Sequence, residues 1–217
     1  RLKQENFQGV ILISKGKEIL MRETIYQKKG DNPKNLYKKH SFPLGESTKI
    51  FTAYALKILL LEKNIKESSY VKTHLPWFPY PNIKIENLLK HTSGLPKIVE
   101  IDPDFDTIPQ RKKNTQLKKA LIEAKTLTAF PPGEYWKYKR LDYFVIGILI
   151  EQLSGKSYHD FLNEKIFFPL KMNHSYVDES EPVLGNSGIY SNPEDLIHWQ
   201  EELSHPTLLF KKQVQPI

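Results

Sequence analysis

Two stretches of this sequence are apolar on nearly every side: residues 50–61 (IFTAYALKILLL) and residues 141–153 (LDYFVIGILIEQL). Each is long enough for about three helical turns, and a helix without a polar face has to be covered all round. The chain therefore has to be built in layers around two central helices. With 217 residues, 39% of them hydrophobic, it can bury such a core as one domain or two closely packed subdomains.

The remaining elements arrange themselves around this pair. Residues 7–20 (FQGVILISKGKEIL) read as a β-hairpin with Lys15, Gly16 and Lys17 in its turn. Prolines 76, 79 and 81 around Trp77 and Phe78 mark an irregular connection, followed by a short helical stretch (IKIENLLKH) stopped by Ser93-Gly94-Leu95-Pro96. Residues 114–125 form an amphipathic helix, Pro131-Pro132-Gly133 closes the loop behind it, and Ser154-Gly155 ends the second apolar helix as a glycine C-cap. Residues 157–167 predict a further amphipathic helix. A last one spans 193–203, with Ser191 or Asn192 as N-cap and Pro193 in the first position. There is no internal repeat.

Composition excludes several function classes. Without cysteine there is no disulfide, thiolate nucleophile or cysteine-ligated metal. The seven histidines lack metal-ligand spacing, so no cofactor is expected. The net charge of +7 comes from scattered lysines, densest at Arg111-Lys112-Lys113, without the interleaved aromatics of a nucleic-acid surface, so no nucleic-acid partner is expected. No apolar run reaches the roughly 20 residues of a membrane span.

The order of motifs is more specific. Phe7-Gln8-Gly9-Val10-Ile11-Leu12-Ile13, then Leu88-Leu89-Lys90-His91-Thr92-Ser93-Gly94-Leu95-Pro96, then Pro132-Gly133 before Tyr138, then Ile148, Ile150, Glu151, Ser154 and Gly155 with Phe168, Pro169, Leu170 and Met172 occur in sequence. Together with GIYSNPEDL at 188–196, this series resembles the class C beta-lactamase, carboxypeptidase and esterase branch of the penicillin-recognising serine hydrolases. The resemblance covers essentially the whole chain. It implies an α/β (α+β) fold of the beta-lactamase/transpeptidase type, an antiparallel sheet flanked by helices plus a helical subdomain. Residues 1–62 and 154–217 would supply the sheet subdomain and residues 63–153 the mainly helical one. It also suggests a bacterial exported or periplasmic protein.

In that family a serine at the start of the buried helix attacks an acyl carbon and a lysine three residues on activates it. The matching stretch here is Gly45-Glu46-Ser47-Thr48-Lys49, which puts Lys49 at the lysine and Glu46 at the nucleophile. Ser47 lies about 100° further round a helix and is not expected to replace it. The literal SxxK matches at Ser14 and Ser69 open no buried helix. A tyrosine-serine-asparagine triplet aligns with Tyr138-Lys139-Arg140, keeping the phenol that a nearby lysine could make a better base and exchanging the amide-binding asparagine for Arg140. His91, Thr92 and Ser93 look catalytic together, yet a turn that ends a helix is their expected role. The family's third cleft strand lies beyond the matching segments, so the expectation is that the C-terminal strands of the family's sheet are missing or belong to sequence beyond this chain.

These replacements lead to the expectation that Glu46, Lys49 and Arg140 form an ion-pair cluster on the old active-site floor. The protein would then be a catalytically inactive binding or scaffold unit, with a peptide or peptidoglycan-like ligand at Arg140 and Glu46, and with self-association or a partner strand at an open sheet edge. The competing expectation is a divergent beta-lactamase, carboxypeptidase or esterase acting through another nucleophile.

Overall fold

The computed structural model describes residues 9–16, 18–25, 40–107, 113–125, 127–181 and 183–209. Phe7 and Gln8 of the expected hairpin, Lys17 in its turn, and Arg111 and Lys112 of the basic run lie outside them.

Short apolar runs on either side of a glycine turn give the antiparallel pair β1 (Gly9–Lys15) and β2 (Glu18–Ile25), with a register irregularity between Ile13 and Ser14. Three short strands, too brief to show a period in sequence, form a second sheet in the order β3 (Phe42–Pro43), β5 (Ile189–Ser191), β4 (Tyr176–Val177), all antiparallel. Both expected apolar helices are present: α1 (Thr48–Lys63) and α6 (Arg140–Ser154). They pack directly on each other. Between them come the short α2 (Val71–His74), α3 (Ile85–Leu89) and α4 (Ile98–Ile101), and the amphipathic α5 (Lys113–Glu123).

After Gly155, which caps α6 in a left-handed conformation, the chain forms α7 (Tyr158–Leu162) and a π-helical turn at Asn163–Phe167 where a continuous helix is expected from sequence. The last described helix is α8 (Pro193–Ser204); its N-cap is Asn192, whose side chain accepts from the Asp195 amide, and Pro193 is in the first turn. Ser191 lies instead in β5, where its hydroxyl meets that of Ser175.

One hydrophobic core joins these helices. Leu56, Leu59, Phe144, Leu149, Phe161 and Phe167 are almost wholly enclosed, and Phe51 stacks on Trp199 of α8 at 4.0 Å between ring centroids. At roughly 1.5–3 kcal/mol for each large side chain removed from water, this packing holds the two central helices in place. The β1–β2 pair is far more open: most of β2 is exposed, and Arg22 ties it to Glu194 of α8 at 2.7 Å.

Candidate active site

The site lies where α1 and α6 begin. Gly45, Glu46 and Ser47 form a 3₁₀ turn leading into α1. In such a turn, side chains three apart come nearly into line. Lys49 Nζ accordingly lies 3.2 Å from the Glu46 carboxylate. The turn is anchored from both sides, because the Leu44 amide donates to the Ile189 carbonyl and the Ile189 amide donates to the Thr48 hydroxyl.

Tyr138 reaches the same point from the loop before α6. Its position depends on the HTSGLP turn, to which the segment leading to it is clasped by backbone bonds: Ala129 to the Gly94 carbonyl, Gly133 to that of Thr92, and Lys137 to that of His91. Gly94 has φ +70°, and a β-carbon there would sit 2.3 Å from the Phe130 carbonyl oxygen, so only glycine allows this approach. Beneath the turn, the fully buried Asp142 of α6 accepts hydrogen bonds from Ser93 and, at 2.7 Å, from His91 Nδ1. Serine and histidine both address the carboxylate, so they make no nucleophile–base pair with each other. HTSGLP ends a helix and docks a loop, as its sequence suggests.

At the centre of the cluster, Lys49 Nζ donates to the Tyr138 oxygen at 2.9 Å. That oxygen lies 2.8 Å from Glu46 Oε1 and 3.0 Å from Asn186 Oδ1. A phenol has one proton and can donate to only one of these two. The hydrogen bond from Tyr138 holds the Glu46 carboxyl below its ordinary value, against a smaller opposing effect of desolvation and with help from Lys49 and the charge of Arg140. Burial pushes the Tyr138 phenol well up, and the bonded Glu46 adds to this. The expectation that a neighbouring lysine would make this phenol a better base is thus reversed: a desolvated phenol beside a carboxylate keeps its proton.

Arg140 also differs from expectation. It is the exposed first residue of α6 and forms no ion pair among the described residues, acting on Glu46 only through longer-range attraction. The third member of the cluster is Tyr138. Asn186 was not apparent from sequence because no local pattern surrounds it. It is delivered by a loop in which Gly185, at φ +82°, approaches Gly147 of α6, and the Gly185 carbonyl accepts from the Thr52 hydroxyl of α1 at 2.7 Å.

Beside the cluster runs an open groove of about 650 Å³ lined by Glu46, Ser47, Lys49, Ile50, Tyr54 and Tyr143 among others. Ser47 borders this groove, and its hydroxyl has no partner among the described residues. The hydroxyl bonded to Lys49 is the phenol. No group of potential metal ligands occurs among the described residues.

The profile of the Beta-lactamase family matches residues 3–215, and the chain belongs to that family. It is 32% identical over 176 residues to penicillin-binding protein 4* of Bacillus subtilis, a match covering 80% of this chain and 39% of that protein. It is 31% identical over 144 residues to the teichoic acid D-alanine hydrolase of Staphylococcus aureus, covering 65% of this chain and 34% of that protein. The chain thus spans well under half the length of these curated relatives. Among solved structures, a penicillin binding protein from Bacillus halodurans superposes with a TM-score of 0.77 at 21% identity, over 97% of this chain and 76% of that one. The α/β fold of the beta-lactamase/transpeptidase type expected from the motif order is the fold observed.

Proposed function

We propose that this chain is a non-catalytic member of its family, a binding or scaffold unit that keeps the hydrolase fold. The observation that carries this reading is the carboxylate of Glu46 at the nucleophile position, ion-paired to the lysine that would otherwise activate a serine. Acyl transfer needs a hydroxyl whose proton the lysine or phenol can accept. Here the lysine is committed to a carboxylate and the phenol retains its own proton.

The site keeps a donor for a ligand. Lys49 has three N–H groups, of which Glu46 and Tyr138 engage two, leaving one for a carbonyl or carboxylate. The names of the relatives point to cell-wall material, so a peptide, peptidoglycan-like or teichoic-acid-like ligand is the class proposed. The β1–β2 pair suits a partner strand, since among the described residues it pairs with no third strand; size-exclusion with light scattering reads this out as association or its absence.

The test of inactivity is intact-mass measurement after incubation with benzylpenicillin or an activated ester. The expected result is no adduct and no turnover. Glu46→Ser asks whether the remaining machinery is competent, and an acyl adduct on that variant alone supports the reading. A covalent adduct or turnover by the unaltered chain, with Ser47 as the first position to map, overturns it.

A further inference from the structure

A second cavity, of about 350 Å³, is lined by residues 96–99, 105–106 and 138–141, Tyr138 among them. One wall is apolar, made by Ile98, Val99, Phe105 and Leu141; the rest carries Lys97, Lys139 and Arg140 against a single carboxylate, Asp106. Lys139 is the unusual member. Only 6% of its surface is exposed, yet it makes neither an ion pair nor a side-chain hydrogen bond among the described residues. Among the described residues the enclosed unpartnered side-chain atoms are His74 Nε2, Tyr80 OH, Asp102 Oδ2 and Asn192 Nδ2. The Lys139 nitrogen is not one of them, so it keeps some exposure in a residue that lines the cavity.

An ammonium group held out of water without a partner is costly, and a protein surface offers such a side chain many cheaper positions. Its burial pushes the Lys139 amine down, and Lys137 and Lys97 add to this while Glu100 and Asp142 pull the other way. Glu100 is itself engaged, accepting from the Lys97 amide, and Asp142 is engaged by His91 and Ser93. A second feature favours negative charge at the same place. Lys139 is the N-cap of the 15-residue α6, and no side chain caps that helix. The positive end of the helix therefore lies beside the lysine, with Asp142 in its first turn and the Asp142 amide already donating to the Lys139 carbonyl.

We infer that this cavity binds an oxyanion, carboxylate or phosphate, carried on an apolar body, with Lys139 and the start of α6 holding the anion and Ile98, Val99 and Phe105 covering the apolar part. The inference deepens the binding role proposed above and rests on it. Arg140, which pairs with nothing in the Glu46 cluster, then has a role at the mouth of this cavity, and Asp106 sets a limit on how much negative charge enters.

The experiment uses hexyl phosphate, hexanoate and hexanol as probes, with binding followed by calorimetry. Both oxyanions are expected to bind at least tenfold more tightly than hexanol. Lys139→Met is expected to remove that preference and Lys137→Ala, outside the cavity lining, to leave it. Preference for the phosphate indicates a phosphate-ester ligand; preference for the carboxylate indicates a peptide or amino-acid terminus. As a measurement independent of variant folding, competitive acetylation of the unaltered protein should show Lys139 protected by hexyl phosphate and unprotected by hexanol. Equal binding of all three probes, undiminished oxyanion binding by Lys139→Met, or unprotected Lys139 overturns the inference. None of these results bears on acylation, and a penicillin adduct would sink the non-catalytic reading without touching the cavity.

Discussion

Two polar clusters flank the start of α6, and they differ in access to water. Asp142 and Ser93 have no exposed surface, His91 keeps only 12% of its side chain exposed, and both Ser93 and His91 bond to the Asp142 carboxylate. In the cluster with Tyr138, Glu46 and Lys49 border an open groove, and 63% of the Glu46 side chain is exposed. A sealed carboxylate must keep its partners because water cannot replace them, whereas an open one can be exchanged at little cost to the fold. The chemistry at the nucleophile position could therefore change while the scaffold stayed intact.

Removing the sealed carboxylate should break this comparison most visibly. Asp142→Ala leaves His91 and the Ser93 hydroxyl without their acceptor, and a loss of roughly 3–5 kcal/mol is expected, as for breaking one side of a buried charged pair. For a chain of this size that is a fall in Tm of roughly 6–20 °C, read by calorimetry. Tyr138 should also lose its fixed position, since the turn that Asp142 supports is the one that docks its loop.

Glu202 provides a second sealed carboxylate with which to sharpen the point. It is buried in α8 and accepts from the Tyr54 hydroxyl, from the Thr207 amide and hydroxyl, and from the Leu208 amide. Glu202→Gln sets an amide N–H group against these donors and should cost about 1–3 kcal/mol. Desolvation acts to raise the Glu202 carboxyl, but these hydrogen bonds prevail and hold it below its ordinary 4.5. A carboxyl lowered in the folded state adds stability that is fully present above the ordinary value and is lost as pH falls through the folded one. Between about pH 5 and 2, Tm of the unaltered chain should therefore fall more steeply than that of Glu202→Gln.

The smallest effect is expected at the open cluster. Glu46→Gln should change stability by about 1 kcal/mol or less, within the range of exposed ion pairs, and the remaining difference should shrink further in high salt. A loss at Glu46 as large as that at Asp142 would remove the contrast between the clusters.

The same contrast explains what was legible in the sequence. The two central helices announce themselves because a segment apolar on all sides has few structural options, and residues 50–61 and 141–153 fall inside the observed α1 and α6. Strands of two or three residues, such as 42–43 and 176–177, carry no readable alternation; tertiary packing alone defines them. At the site, the Glu46–Lys49 pair follows from local spacing. Tyr138 is legible from its place after Pro132-Gly133, whereas Asn186 arrives from a loop whose path depends on contacts far along the chain, and the failure of Arg140 to join the cluster is equally a property of the assembled fold. The rise in the Tyr138 phenol was hidden for the same reason, because the burial that causes it is a property of the assembled fold.

The contact between Gly147 and Gly185 gives the helix pair a reach beyond its own core. A β-carbon on Gly147 would meet the Leu184 carbonyl oxygen at 3.2 Å, and the next residue but one along that loop is Asn186. A single methyl group added on the buried side of α6 would thus act as a shim, lifting the loop and drawing the amide away from the phenol without altering any residue of the cluster. The bare backbone at these two positions serves as a gauge, setting how far one arm of the cleft can extend toward the other.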